Sequence, residues 1–150
     1  AIQVGQPVRI LLIGDIVGKP GRRIVREGLS TIRDQHAVDL VIANAENAAD
    51  GSGLMPDHYK QLIDAGVDCI TMGDHVYRRR DIYDTLESSD NIIKPANYPK
   101  DSPGKGSTTV TVATWIPPMG SSGLTSAFCP SLICLNRASG AITSILSGWI

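Results

Sequence analysis

Residues 8–15 read VRILLIGD, residues 40–47 read LVIANAEN and residues 67–75 read VDCITMGDH. Each opens as a short, nearly continuous apolar run, as strands buried on both faces of a parallel sheet do, and each breaks into small and polar residues. Strands are therefore expected over 8–13, 40–43 and 67–72. After the Lys19-Pro20-Gly21 turn, Ile24, Val25, Leu29 and Ile32 recur at helical spacing, with Arg22, Arg23, Arg26 and Arg33 toward solvent. Gly28 weakens that helix without breaking it. A polar, small-residue loop over 44–53 leads to Pro56, which suits the first turn of a second helix through Ala65. Tyr59, Leu62 and Ile63 would face inward there, and Gly66 would stop the helix. A third helix is expected over 80–87, with Ile82, Tyr83 and Leu86 toward the core.

Strands alternating with helices of this length imply a βαβαβ unit in an α/β fold, with crossovers that are right-handed in about 98% of cases. The three polar breaks then share one edge, outside the carboxyl ends of the strands, where open α/β sheets bind their ligands. They carry Asp15, Glu46-Asn47 and Asp74-His75. Three carboxylates, an amide carbonyl and an imidazole are a donor set for divalent cations, and a pair of ions commonly shares one carboxylate. In two-metal hydrolysis the ions sit about 3.5–4 Å apart and stabilise charge building on a phosphoryl group.

Plainer readings stand beside this one. An Asp after a strand also caps the following turn, and for Asp15 alone that serves equally well. Recurrence at three strand ends favours the metal reading. His75 gains a site role from its place beside Asp74. His58 reads as a solvent-facing helix residue, and His36 as the end of the first helix, where a cation is favourable.

Several function classes are excluded or unsupported. Gly14 and Gly18 enclose three residues and Pro20 follows Lys19, whereas a P-loop needs four residues between its glycines and a hydroxyl after the Lys. No GxGxxG occurs, so dinucleotide binding has no support. Arg78, Arg79 and Arg80 read as a solvated face, and a net charge of −1 over 150 residues offers no basic field for nucleic acid. There is no apolar run of about 18 residues and no leader pattern, so a cytoplasmic protein without a membrane span is expected. Cys69 lies in an apolar strand, and Cys129 and Cys134 have neither CxxC nor framework spacing, so free and mostly buried thiols are expected.

The character of the chain changes late. Residues 108–114 (TTVTVAT) alternate like a further strand, but residues 115–150 hold one charged residue, Arg137, and no acid. The expectation is a first portion over 1–112 and an atypical tail over 113–150, irregular or the product of a frameshift or an early end of a longer reading frame.

The runs GDIVGKPGRR (14–23), VIANAENAADGSG (41–53), ITMGDH (70–75) and KPANYPKDSPGKG (94–106) closely resemble, in that order, the YmdB-like branch of the calcineurin-like metallophosphoesterases. The resemblance covers residues 8 to about 112. It implies a sandwich of two sheets flanked by helices, of which this chain carries the βαβαβ portion. It also implies a binuclear centre of iron, manganese or a similar divalent metal such as magnesium or zinc, and hydrolysis of small phosphodiesters such as cyclic nucleotides. Carried over, Asp15 would bind one metal, Glu46 would bridge two, and Asn47 would contact metal or substrate. Asp74 takes the place of the family's metal-binding Asn, and His75 matches the histidine that donates a proton to the leaving group or stabilises the transition state.

Two departures accompany the resemblance. Asp74 adds a negative charge, which tightens cation binding and lowers the Lewis acidity that activates water. The family completes its centre with histidines from a C-terminal half, whereas His36, His58 and His75 are the only histidines here. The alternative to the enzyme is therefore an inactive fragment with a half metal site, acting as a binding or structural module. A sheet edge left open by truncation would favour self-association into a homo-oligomer.

Overall fold

The computed structural model describes residues 8–113 and, in the remainder, only the backbone of strands over 127–128, 133–138 and 141–147; side chains are described for 8–110 and Val112. The first sheet is built from β1 (Ile10–Ile13), β2 (Leu40–Asn44), β3 (Cys69–Thr71) and β4 (Ile92–Ile93), parallel throughout and in that spatial order. The helices α1 (Gly18–His36) and α2 (Pro56–Asp64) make the first two crossovers. A 3-10 turn over Arg80–Ile82 runs directly into α3 (Tyr83–Ser88) before β4. The second sheet is antiparallel, in the order β5 (Ser107–Ala113), β8 (Ala141–Ser147), β7 (Ile133–Ala138), β6 (Ala127–Phe128).

Strand alternation sorts the first sheet's side chains into two cores. Val41, Ala43, Ile70 and Ile92 join Val25, Leu29, Leu62, Ile82 and Leu86, so all three helices cover one face. Leu40, Ile42, Cys69 and Ile93 point the other way and pack with Val110 and Val112 of β5. The result is a layer of helices, a parallel sheet and a strand of the second sheet stacked on its far side. A mixed α/β fold with a parallel sheet is as the sequence implies. Burial pushes the Cys69 thiol up to about 12, with the neighbouring Asp68 carboxylate adding to it, so this cysteine is a free, buried and unreactive core residue. Cys129 lies outside the described residues, as does the side chain of Cys134.

Several local expectations change. Among the described residues β1 lies at the edge of its sheet, and Leu12 is 65% exposed rather than buried. On α1 only Gly18, Val25 and Leu29 are buried, while Ile24 is 69% exposed. Adjacent helical positions differ by about 100° in direction, so turning Val25 inward turns Ile24 out. Arg22 and Arg33 do not face solvent. Arg22 Nη1 donates to the Ala48 carbonyl, and Arg33 donates to Gly66 O at 2.8 Å and pairs with Asp68 at 3.0 Å. Strand β4 is absent from the sequence reading, since two residues carry no period. Within the stretch read as an atypical tail the structure describes the backbone strands β6, β7 and β8, and the other residues after Ala113 lie outside the described set.

The cap of α1 carries a strained residue. Ala37 sits at φ 48°, in the left-handed region, and its N–H serves the last carbonyls of the helix. Among the described residues no helix is long and apolar enough to cross a membrane.

Candidate metal centre

Each of the first three strands ends at the same edge, and the loops that follow are tied together by their backbones. Ile16 N donates to Asn44 O and Gly18 N to Asn47 O, both at 3.0 Å, and Ala45 N donates to Thr71 O at 3.1 Å. Loops from β1, β2 and β3 thus form one surface before any side chain contributes. The β2 loop is further braced from outside: Arg79 donates to Ser52 O at 3.2 Å and to Ala49 O at 3.5 Å, and Arg22 to Ala48 O. Gly53 permits this brace. It adopts φ +83°, and a β-carbon there would fall 2.8 Å from Arg79 Cγ. One member of the arginine run therefore positions the loop rather than only solvating a face.

All five residues singled out in the sequence reach this edge, in two linked groups. Glu46, Asp74 and His75 each offer a donor atom, and the three atoms lie within 4.8 Å of one another. Asp15 is joined to them through Asn47, whose Nδ2 donates to Asp15 Oδ1 at 2.9 Å. The other end of the same amide, Oδ1, lies 2.6 Å from His75 Nδ1. His75 also uses its backbone, donating N–H to Glu46 Oε2 at 3.2 Å, while its Nε2 lies 3.7 Å from Asp74 Oδ2. Asp15 and Asp74 are exposed, whereas Glu46, Asn47 and His75 are half-buried.

The donors fit a divalent cation. Two carboxylates and an imidazole suit iron, manganese or zinc, and the carboxylates are acceptor-only when ionised, so they need cationic or hydrogen-donating company. Gly73 shows that space is kept for this chemistry. A β-carbon at Gly73 would lie 2.5 Å from Glu46 Cδ and 2.6 Å from Oε1, so the carboxylate rests directly on the backbone after β3. In the sequence Gly73 is one letter of a motif, with no role of its own. Its signal is a glycine immediately after an apolar strand and before a candidate ligand.

His36 and His58 stay away from the edge. His36 ends α1, exposed. His58 is not solvent-facing as the sequence suggests: its Nδ1 is buried without a hydrogen-bond partner among the described residues. Burial holds its pKa below the usual histidine value, reinforced by Arg22 and Arg79 and opposed by Asp50 and Asp57.

The last of the four quoted runs, 94–106, is fixed by a buried cation. Lys94 is 3% exposed, and its Nζ donates to Pro99 O at 2.9 Å, to Ser102 Oγ at 2.8 Å and to Ser102 O. Tyr77 adds bonds to Ser102 Oγ and Pro103 O. The run is thus a structural clasp between the β3 loop and β5.

Known proteins match this chain over about two thirds of its length. A 2',3'-cyclic-nucleotide 2'-phosphodiesterase of Bacillus subtilis (strain 168) is 44% identical over 103 residues, 69% of this chain and 39% of that protein. A crystal structure of a hypothetical protein from Thermus thermophilus superposes with a TM-score of 0.64 at 44% identity, covering 69% of this chain and 40% of that one. A crystal structure described as a novel phosphatase, from Mycoplasma pneumoniae, gives 0.65 at 32% identity, covering 70% and 39%. The chain thus spans about two fifths of the length of these relatives. The family model described as YmdB-like protein matches residues 11–124, which takes in every strand-end residue described above, and the chain belongs to that family.

Proposed function

We propose that the edge formed by Asp15, Glu46, Asn47, Asp74 and His75 is a metal centre for hydrolysis of a small phosphodiester such as a cyclic nucleotide. The observation that carries the reading is the convergence of Glu46, Asp74 and His75 donor atoms within 4.8 Å, at strand ends, with Asp15 tied in through Asn47. The named activity of the Bacillus relative supports the substrate class. Residues 1–112 are the site-bearing portion in this reading, and residues 113–150 an atypical tail.

Bound divalent cations would supply charge stabilisation at the phosphoryl oxygens and a more acidic water. Asp15, Glu46, Asn47 and Asp74 would hold two such ions, iron or manganese by donor type. The chain's own contribution is positional. Glu46 is held by the His75 N–H and by its seat on Gly73, so its carboxylate is oriented before substrate arrives. The His75 ring is anchored at Nδ1 by Asn47, which leaves Nε2 as the nitrogen that can carry a proton to the leaving alkoxide.

One observation favours a second reading, a module that binds a cation without turnover. Among the described residues His75 alone brings an imidazole to the edge, and the carboxylates outnumber it. The test is hydrolysis of bis(p-nitrophenyl) phosphate and of 2',3'-cyclic AMP in manganese by wild type, Asp15→Ala and His75→Ala. Turnover lost in both variants supports the enzyme. An inert wild type supports the binding module, and full activity in Asp15→Ala overturns the site.

A further inference from the structure

We infer that two copies of this chain join their parallel sheets edge to edge, β1 against β1 in antiparallel register about Leu12, with their α1 helices packed along one another. The partner is a second copy of this chain, and the contact does not depend on the chemistry at the strand ends.

Among the described residues β1 pairs with β2 alone, and none of its four residues is buried, whereas the first four of β2 all are. Its free edge can be assigned. Arg9 O accepts from Asp39 N and Leu40 N, and Arg9 N donates to Asp39 Oδ2, so Arg9 turns its backbone toward β2. Successive residues of a strand turn their polar groups to opposite edges. Leu11 and Ile13 therefore follow Arg9, while Ile10 and Leu12 present N–H and C=O outward.

Exposed apolar surface gathers on the same side. Four large apolar side chains are exposed among the described residues, and three of them are Leu12 at 65%, Ile24 at 69% and Ile32 at 41%. Ile24, Gly28 and Ile32 are four apart and form one stripe of α1, on the flank away from Arg33, which pairs with Asp68. The stripe lies along β1, because Ile32 lines a groove of about 490 Å³ together with Ile10, Leu11 and Val38. A β-carbon at Gly28 would meet nothing within 4 Å, so the stripe has an open notch at its middle.

One two-fold axis serves both elements. An axis normal to the sheet keeps the helices of both copies on one face, and directly opposed residues of antiparallel strands point to the same face. Centred on Leu12, the pairing lets that residue and its copy exchange both backbone hydrogen bonds, and sets Leu11 opposite Ile13. The helix α1 runs back along β1, with Ile32 beside Ile10 and Leu11. A helical rise of about 6 Å from Ile32 to Gly28 matches about two residues of strand, so the notch comes level with Leu12. The axis then places Ile24 of one copy over the groove beside Ile32 of the other. Beyond the paired residues it sets Arg9 of one copy level with Asp15 of the other, opposite charges on exposed residues. Strand, stripe and charges are thus self-complementary about a single axis, as an isologous contact requires.

The test is sedimentation velocity of the purified full chain, paired with cysteine cross-linking. A patch of this extent belongs with interfaces of about 1,200 Å² or less, so a reversible dimer of roughly micromolar affinity is expected. Leu12→Lys, which sets two ammonium groups across the axis, should weaken the dimer at least tenfold while leaving the circular dichroism spectrum unchanged. In a Cys129→Ser, Cys134→Ser background, Leu12→Cys should oxidise to a disulfide-linked dimer. Ile24→Cys mixed with Ile32→Cys should cross-link more than either variant alone, a readout of register that a merely sticky surface would not give. A chain that stays monomeric at hundreds of micromolar, its edge taken by another segment or left to water, overturns the inference. So does Leu12→Lys dimerising like wild type, or a mixed pair that cross-links no better than its members. Growth into an open series of larger species would put a different edge in the contact and overturn it as well.

Discussion

Glu46 rests on Gly73: its carboxylate occupies the space a side chain at that position would take, with Cδ 2.5 Å from the place of a β-carbon. The contact joins the loop after β2 to the end of β3, so two strands must be in register for it to exist.

Gly73→Ala should therefore damage the site more than the fold. The atoms displaced are the end of a flexible side chain, and Gly73 does not need a left-handed backbone, so the thermal midpoint should fall by only a few degrees, as for about 1 kcal/mol. Glu46 must swing aside, and Mn²⁺ affinity should drop at least tenfold in calorimetry. Unchanged affinity would show that the carboxylate is not a ligand in its observed place.

Lys94 is the opposite kind of residue, important to the fold and remote from the chemistry. Its buried ammonium satisfies two carbonyls and a hydroxyl in the clasp over 99–102. Lys94→Met keeps most of the apolar stem but strands those acceptors, which should cost about 2–4 kcal/mol in urea unfolding. A loss within about 0.5 kcal/mol, the range of ordinary surface changes, would mean the clasp opens to water without penalty.

The parallel sheet was legible because its signals are local. Leu40–Asn44 is a run with no polar interruption before its last residue, Ile10–Ile13 is another before Asp15, and a run broken by Asp68 and Thr71 precedes Asp74. Placing five polar residues at one edge needed only the rule that parallel strands share a direction. What sequence could not carry were facts that depend on two distant segments meeting. Gly73 matters because Glu46 arrives from another strand, and Arg79 matters because the Ser52 carbonyl lies beside it. The guanidinium groups of Arg22 and Arg33 turn inward to donate to the carbonyls of Ala48 and Gly66, which arrive from distant segments. Strand β4 is defined by its pairing with Ile70 and Thr71 rather than by any pattern of its own.

Ala37 offers a gain. It holds φ 48° at the end of α1, a conformation that costs an L-residue about 1–2 kcal/mol and glycine almost nothing. Ala37→Gly should stabilise the protein by about 1 kcal/mol in urea unfolding, with no change in cation binding. A loss of stability would show that the added freedom of the unfolded chain outweighs the relieved strain.

His58 should make stability depend on pH. Burial, then Arg22, lower its pKa in the folded protein below the ordinary 6.5, and Asp50 and Asp57 only partly oppose them. In the unfolded chain the ring is free to take its proton at the ordinary value. Between the folded value and 6.5 the unfolded state thus binds more protons, and stability falls as pH drops through that window. Above about pH 7 the ring is neutral in both states and the contribution is constant. His58→Gln removes the titration, so the wild-type urea midpoint should fall relative to the variant's as pH drops from 7 to 5. Carboxylates that titrate lower in that range act alike on both proteins and cancel in the difference. Parallel midpoint curves over that range would show that the buried Nδ1 is reached by solvent and that His58 titrates as it does in the unfolded chain.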